Sequence, residues 1–337
     1  MKNRRFTTRK GTFIILVMFL VMLAIAIISI NSGKMNLTPG EVLNVLFGNG
    51  TDKQNLIVFE FRLPRIILAM LVGVSMGASG CIMQSLLQND MASPGTLGIS
   101  SGSGMFVLIF VVIFSAQGVS SAITLPFLAF VGGMTAALLV FLLSYRRGRD
   151  ISPIGLILTG VALSSGYGAF TMLLTLKLDQ NQMDFIQRWN AGILWGDDWR
   201  YLVILAPWTL LLLAYVMYKS RILNTLHLGN ETATGLGVAV KKEFLGLSIA
   251  AVALSSGSVA LGGNFFFVGM ISPHVARKLV GPNHKLLLPA SCLSGAIIVL
   301  LADTITRTIS LGTNVPTGIV ITILSTPYFL YLLAKAN

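Results

Sequence analysis

LHLGNETATGLGVAVKK, residues 226–242, is a polar stretch between two long apolar runs. Asn230 is a residue type that caps helices, and Glu231 then falls in the first turn, where the helix dipole favours negative charge. Gly235 and Gly237 are placed to end this helix after about two turns, because glycine readily adopts the left-handed conformation. The composition is typical of a solvated loop, yet a short capped helix between two spans also suits the docking of a partner protein.

Basic residues flank this stretch on both sides, at Lys219, Arg221, Lys241 and Lys242. Cytoplasmic loops of membrane proteins carry an excess of Lys and Arg over external loops. We therefore expect residues 226–242 to lie on the cytoplasmic side of the membrane.

The composition indicates a membrane protein. Of the 337 residues, 54% are hydrophobic and only 11% are charged, whereas soluble domains carry about 25% charged residues. At about 20 residues per span, the apolar runs predict an all-α polytopic membrane protein with about ten transmembrane helices. The formal charge of +12 does not indicate a nucleic-acid partner, because most basic residues sit at the ends of apolar runs and are not interleaved with exposed aromatic residues.

The positions of Lys and Arg orient the predicted spans. The first apolar run, residues 12–30, follows a basic stretch and is not followed by a small-residue cleavage site, so we expect a retained span rather than a signal peptide. With both termini in the cytoplasm, 16 of the 24 Lys and Arg residues fall inside and the other eight outside, as the positive-inside rule requires. We therefore predict a single transmembrane domain over residues 1–337.

FRLPR, residues 61–65, precedes the second apolar run on the side predicted to be external. Pro64 suits the first turn of a helix, because its missing N–H costs nothing there. Arg62 and Arg65 are three residues apart and so share one helix face. Terminal arginines commonly extend along apolar surface to the membrane interface. The alternative is a pair of exposed cations that bind carboxylates of a partner.

The second apolar run, residues 66–86, contains closely spaced small residues that allow helix backbones to approach each other. Cys81 and Cys292 both lie in apolar runs, which predicts buried thiols and no disulfide framework. His274 and His284 lie ten residues apart in a basic turn, but a structural zinc site needs four ligands at short spacing. We predict no metal site, and we expect both imidazoles at the surface or at helix ends.

Several sequence blocks lie along residues 61–333: FRLPRIILAMLVG, SG-x₃-Q at residues 79–84, LGNETATGLGV, FFFVGMISPHVARKLVG with NHKLLLP, ADTITR, and NVPTGIV with PYFLYLL. Taken together and in this order, they resemble the FecCD family of ABC-transporter permeases, which import iron–siderophore complexes, haem and vitamin B12. The resemblance implies a BtuC-like permease fold and the transport of an iron(III)–siderophore complex across the bacterial cytoplasmic membrane, with haem or cobalamin as the alternative cargo.

The resemblance also assigns site residues. The family's coupling helices sit in a cleft on a separate ATPase subunit, and they correspond here to Leu228, Gly229, Glu231, Thr232, Ala233, Leu236 and Gly237. The family's arginines that bind glutamates on the two lobes of a substrate-binding protein correspond to Arg62, Arg65 and Arg307. Asp303 lies one helical turn before Arg307, so the alternative is an internal ion pair.

The complex implied by the resemblance contains a second permease, identical or paralogous, two ATPase subunits and one extracytoplasmic substrate-binding protein. The chain has no G-x-x-x-x-G-K-[ST] motif, and so it has no Walker loop of its own. We therefore expect a non-catalytic subunit without a cofactor. ATP and magnesium would bind to the ATPase, and iron would travel within the cargo.

Four positions or short stretches depart from the family pattern. Gln88 and Asp90 stand where the family has Arg and Pro, Asn314 stands where an acidic residue is usual, and residues 325–327 read Ser-Thr-Pro in place of Gly-x-Pro. The resemblance therefore assigns no role at these positions.

Two other functions are alternatives for a polytopic membrane protein. An ion-coupled secondary transporter commonly keeps ionisable residues at mid-membrane, and an intramembrane enzyme needs a nucleophile–base pair or metal ligands within its spans. Every Asp and Glu of this chain can be placed in a loop or at the end of a span, which disfavours both.

Overall fold

A computed structural model describes residues 8–33, 37–114, 121–145, 152–194, 198–308 and 315–336, and these residues form helices and turns without a strand. The helices are, in chain order, α1 (Thr8–Asn31), α2 (Pro39–Leu46), α3 (Asp52–Asn55), α4 (Leu63–Leu86), α5 (Ile99–Phe114), α6 (Ser121–Ser144), α7 (Pro153–Thr175), α8 (Gln180–Asn190), α9 (Trp199–Tyr218), α10 (Ser220–Leu226), α11 (Asn230–Gly235), α12 (Val240–Gly262), α13 (Phe266–Val280), α14 (His284–Thr308) and α15 (Thr317–Ala336). A π-helical stretch, Leu56–Arg62, joins α3 to α4.

Seven of the described helical segments are long and apolar enough to cross a membrane. They are α1, the continuous segment from α3 to α4, α6, α7, α9, α12 and α14. The remaining apolar runs form the shorter helices α5, α13 and α15. The apolar runs are thus helical, which confirms an all-α membrane protein, and the expected count of about ten transmembrane helices stays a prediction. The orientation of the termini and the assignment of one permease domain stay predictions.

The helices α4, α12 and α14 form the buried centre of the bundle. Small residues allow α4 and α14 to touch along their backbones. A Cβ atom added at Gly73 would lie 2.3 Å from the Gly295 carbonyl oxygen, and one added at Gly77 would lie 2.2 Å from the Ser291 carbonyl oxygen. No real side chain fits at such distances, so the close packing predicted for the second span is confirmed.

Two prolines lie within continuous helical segments. Pro64 lies in the first turn of α4, as expected, and the π-helical stretch before it makes Asp52–Leu86 one continuous helical segment. Proline lacks the N–H that bonds to the preceding turn, and the wider π-helical stretch just before it accommodates the ring. Pro273 lies inside α13, which continues through it. Neighbouring helices commonly satisfy the freed backbone groups of prolines in membrane helices.

Three tryptophans, Trp189, Trp195 and Trp199, lie between the end of α7 and the first turn of α9. This stretch contains α8, whose N-terminus is closed by a capping box from Asp179 to Gln182. Trp189 is buried within the bundle, and Trp199 donates to the Phe59 carbonyl oxygen at 2.9 Å. Trp195 lies outside the described residues. These side chains therefore pack the segment against other parts of the protein.

Candidate functional site

The docking segment, residues 226–242, leaves the bundle as a short exposed element. It follows α10 and contains α11. Ala233 of α11 is fully buried, whereas the side chains of Leu228 and Leu236 are 64% and 66% exposed. Glu231, Thr232 and Gly237 are exposed as well, and Gly229 is half-buried.

The two ends of α11 are formed differently from each other. Gly229, with φ +106°, occupies the N-cap position and no side chain caps the helix, so the expectation that Asn230 would cap it was wrong. Asn230 is instead the first helical residue, and its carbonyl accepts from Thr234 Oγ1 at 2.8 Å.

At the other end, the prediction that glycine ends the helix is confirmed for Gly237. Its φ is +80°. The Gly237 N–H donates to the Thr234 carbonyl at 2.9 Å, and the Val238 N–H donates to the Ala233 carbonyl at 3.0 Å. This pair of bonds is a Schellman motif, which needs a left-handed residue at Gly237. Gly235 is the last helical residue and does not itself make the turn.

Several contacts hold the docking segment to the bundle. Leu223 and Leu226 of α10 are buried. Lys219, just before α10, forms an ion pair with Glu243 of α12 at 2.7 Å, and this hydrogen bond raises the pKa of Lys219. The docking segment is therefore anchored at its base and exposed at its tip.

The unusual residues Gln88 and Asp90 both make contacts near this base. Gln88 has φ +50°, and its Nε2 lies 3.5 Å from the Leu226 carbonyl oxygen. Asp90 forms an ion pair with Arg277 of α13. The loop after α4 is thereby connected to both α10 and α13. Asn314 lies outside the described residues.

The arginine cluster, formed by Arg62, Arg65, Asp303 and Arg307, lies at the other end of α4. The Asp303 carboxylate is fully buried. Its Oδ1 lies 3.0 Å from Arg65 Nη2, and its Oδ2 lies 2.9 Å from Arg307 Nε. The internal pair between Asp303 and Arg307 is therefore confirmed, and Arg65 shares the same carboxylate.

The cluster also joins α1 to the bundle. Arg62 donates to the Ile30 carbonyl oxygen, and Arg307 donates to Ser29 Oγ. Arg62 is only 5% exposed and the Arg65 side chain 23%, so the expectation of two exposed cations was wrong for Arg62 and only partly met for Arg65. Their role in binding a partner stays a prediction.

His284 begins α14, as expected for a helix end, and its side chain is buried. His274 lies within α13 and is half-buried, so the expected place at the surface or at a helix end was wrong for this residue. His227 is half-buried, and its ring centroid lies 5.9 Å from that of His284. Sequence spacing gave no signal for this contact, because the two residues belong to different loops. Among the described residues, no three His, Cys, Asp or Glu side chains come together as a metal site would require.

Comparison with known proteins identifies the family. The model of the FecCD transport family matches residues 20–335. The chain belongs to the FecCD transport family. Among its relatives is the iron(3+)-hydroxamate import system permease protein FhuG of Bacillus subtilis (strain 168), which is 42% identical, with 98% of this chain and 99% of the relative covered.

Other FecCD relatives are named for different cargo. The Fe(3+)-citrate import system permease protein YfmE of Bacillus subtilis (strain 168) is 38% identical, with 97% of each chain covered. The hemin transport system permease protein HmuU of Yersinia pestis is 34% identical, with 95% of this chain and 94% of the relative covered.

A solved structure supports the same fold. It is described as an inward-facing conformation of a metal-chelate type ABC transporter, and its chain superposes on this one with a TM-score of 0.82 at 28% identity. The superposition covers 96% of this chain and 99% of the solved chain. This FecCD-family protein is therefore an all-helical, multi-pass permease of the ABC-transporter type.

Proposed function

We propose that this protein is the membrane-spanning permease subunit of an ABC importer that carries an iron(III)–siderophore complex across the bacterial cytoplasmic membrane. The observation that carries the mechanism is the docking segment, which presents Leu228 and Leu236 to the surroundings at the two ends of the short helix α11. Exposed apolar side chains rimmed by polar residues are typical of protein-binding surfaces. The partner is a separate ATPase subunit, since the chain has no Walker loop.

The proposed complex contains two permeases, two ATPases and one substrate-binding protein. Closure of the ATPase pair moves the docking segments and shifts the permease pair between outward-open and inward-open packings. At the opposite end, the arginine cluster is the proposed contact for carboxylates of the binding protein. Charge pairs of this kind guide encounter and fix register more than they add affinity.

An iron(III)–hydroxamate chelate is the first cargo to test. The 42% identical relative is named for hydroxamate, whereas the hemin permease is 34% identical. The alternative cargoes are ferric citrate and haem, and each is a separate arm of the experiment.

The test is ATP-dependent uptake by reconstituted vesicles. The protein is co-expressed with its cognate ATPase and purified as a complex, and uptake of a ⁵⁵Fe-labelled trihydroxamate chelate is measured with the binding protein present. We expect uptake with ATP and none with an ATPase whose Walker lysine is replaced. Accumulation by the permease alone, driven by a proton or sodium gradient, would contradict the proposal.

A further inference from the structure

A chain of hydrogen bonds, partly exposed at Asn224 and buried at Ser85 and His284, connects the base of the docking segment to the ends of two central helices. It begins at Asn224 of α10, two residues before the docking segment. Asn224 Oδ1 accepts the backbone N–H of His284 at 2.8 Å and lies 2.8 Å from the ring Nδ1 of the same residue. Asn224 Nδ2 donates to Asn283 Oδ1 at 3.1 Å.

These contacts fix the role of each ring nitrogen of His284. An amide oxygen accepts hydrogen bonds and cannot donate them, so Nδ1 carries the proton that Asn224 accepts. In the neutral ring Nε2 is then an acceptor for the hydroxyl of Ser85, whose other acceptor within reach is the Cys81 carbonyl oxygen at 2.9 Å. Ser85 and His284 are both buried. The result is a continuous chain from α10 through α14 to α4, which we call the Asn224 bridge.

The Asn224 bridge is directional, unlike the apolar contacts around it. Leu223 and Leu226 bury α10 against the bundle, and such contacts are tolerant of sliding. Hydrogen bonds have a fixed geometry, and a buried donor or acceptor that loses its partner destabilises the protein. A movement of α10 that broke the bridge would therefore raise the free energy of the folded protein. We expect α4 and α14 to move together with α10 instead.

The two helices that the bridge reaches are themselves joined along their length. The backbones touch at Gly73 and Gly295, and Asp303 of α14 binds Arg65 of α4 at the far end. Ser85 and Arg65 lie at opposite ends of α4, roughly 30 Å apart at 1.5 Å per residue. A displacement at the base of the docking segment thus has a mechanical route to the arginine cluster.

We infer that Asn224 and His284 are positioning residues that transmit movement of the docking segment to α4 and α14. This inference rests on the proposed function. In the complex, ATPase closure displaces the docking segment, and the Asn224 bridge converts that displacement into movement of the two helices. Without the bridge, the ATPase still docks and hydrolyses ATP, but less cargo crosses per ATP.

The test measures cargo transported per ATP hydrolysed in the reconstituted complex. The variants are Asn224→Ala, Ser85→Ala and the double variant, and Asn224→Asp keeps the acceptor oxygen. Thr225→Ala is the matched control, because Thr225 Oγ1 bonds only within α10, to the Arg221 carbonyl at 3.2 Å. Co-purification of the ATPase and the thermal midpoint of the complex are recorded for every variant.

We expect Asn224→Ala and Ser85→Ala each to lower transport per ATP about fivefold or more, the size of a coupling energy near 1 kcal/mol. The double variant should be no worse than either single one, since both break the same chain. Asn224→Asp and Thr225→Ala should retain the wild-type ratio. Ser85→Ala removes only a hydroxyl, and so it keeps the test valid if Asn224→Ala assembles poorly.

Two results would overturn the inference. One is a wild-type ratio of transport to ATP in Ser85→Ala or in an assembled Asn224→Ala complex. The other is a parallel fall of transport and ATP hydrolysis together with the thermal midpoint, which is the signature of a merely structural role. Failure of the proposed function is distinct from both, because then the wild-type complex itself shows no ATP-dependent uptake.

Discussion

The two ends of α4 differ in which side chains are buried and which are exposed. At the arginine cluster, charged side chains are drawn into the bundle and paired with groups of the same chain, with Asp303 fully buried between Arg65 and Arg307. At the docking segment, large apolar side chains such as Leu236 remain exposed on a polar helix. The first arrangement stabilises the folded chain. The second leaves apolar surface exposed, which a partner can bury when it binds.

This difference bears on how each end binds its proposed partner. The docking segment offers apolar area that nothing in the described chain covers, so the ATPase has no internal contact to displace there. At the arginine cluster, a carboxylate of the binding protein has to approach guanidinium groups that Asp303 already holds. We therefore expect the contact at the docking segment to be the stronger and more permanent one.

The largest expected effect is on stability, from Asp303→Ala. It leaves two largely buried guanidinium groups without their carboxylate, and losing one partner of a buried ion pair costs about 3–5 kcal/mol. The measurement is the free energy of unfolding in mixed lipid–detergent micelles. The control is Arg200→Ala, which removes the exposed pair with Asp198 but keeps the Asp198 side chain that caps α9, and it should cost less than about 1 kcal/mol. Equal effects of the two changes would show that the cluster does not stabilise the bundle.

A second change separates binding from stability at the docking segment. Leu236→Asp places a charge on an exposed position, so the free energy of unfolding should change by no more than about 0.5 kcal/mol. Affinity for the ATPase should fall by about 2 kcal/mol, or roughly 30-fold, as at a binding hot spot. Titration of the labelled ATPase against the permease in nanodiscs measures this. Leu43→Asp, at a similarly exposed leucine of α2, should leave the affinity for the ATPase unchanged. An equal loss of affinity in this control would show that the effect of Leu236→Asp is not specific to the docking segment.

The smallest effect concerns the turn that ends α11. Gly237→Ala forces a Cβ into a left-handed position, at a cost of about 1–2 kcal/mol. Amide exchange at Val238 should accelerate, because its bond to the Ala233 carbonyl depends on that turn. Gly235→Ala is the matched control. A Cβ there meets open space, and alanine favours helix over glycine by about 1 kcal/mol, so exchange at Val238 should stay the same or slow down. Faster exchange in the control would exclude the left-handed turn as the cause.

Local features of the docking segment were predictable, because they depend on neighbouring residues. Gly237 ends the helix and Glu231 lies in its first turn, as the sequence indicated. The cap was mispredicted because two residue types suit that position: Asn230 was expected, but Gly229 occupies it. Asp303 and Arg307 were recognised as a pair because one helical turn separates them.

Contacts between distant residues were not predictable in the same way. Nothing in the sequence indicates that Asp303 also binds Arg65, 238 positions away, or that this draws the arginines inward. The Asn224 bridge joins three separate helices, and its residues share no motif. The ends of long helices meet only when the whole bundle is packed, so spacing along the chain carries no information about them.

By itself, the sequence determined the class of the protein, its apolar helical segments and the position of the docking segment. These follow from composition, from the lengths of apolar runs and from local turn chemistry, each of which acts over a few residues. Only the tertiary structure decided which charges are buried, which leucines stay exposed and how the base of the docking segment is bonded to α4 and α14. Those properties depend on backbones that approach each other at glycines far apart in the chain.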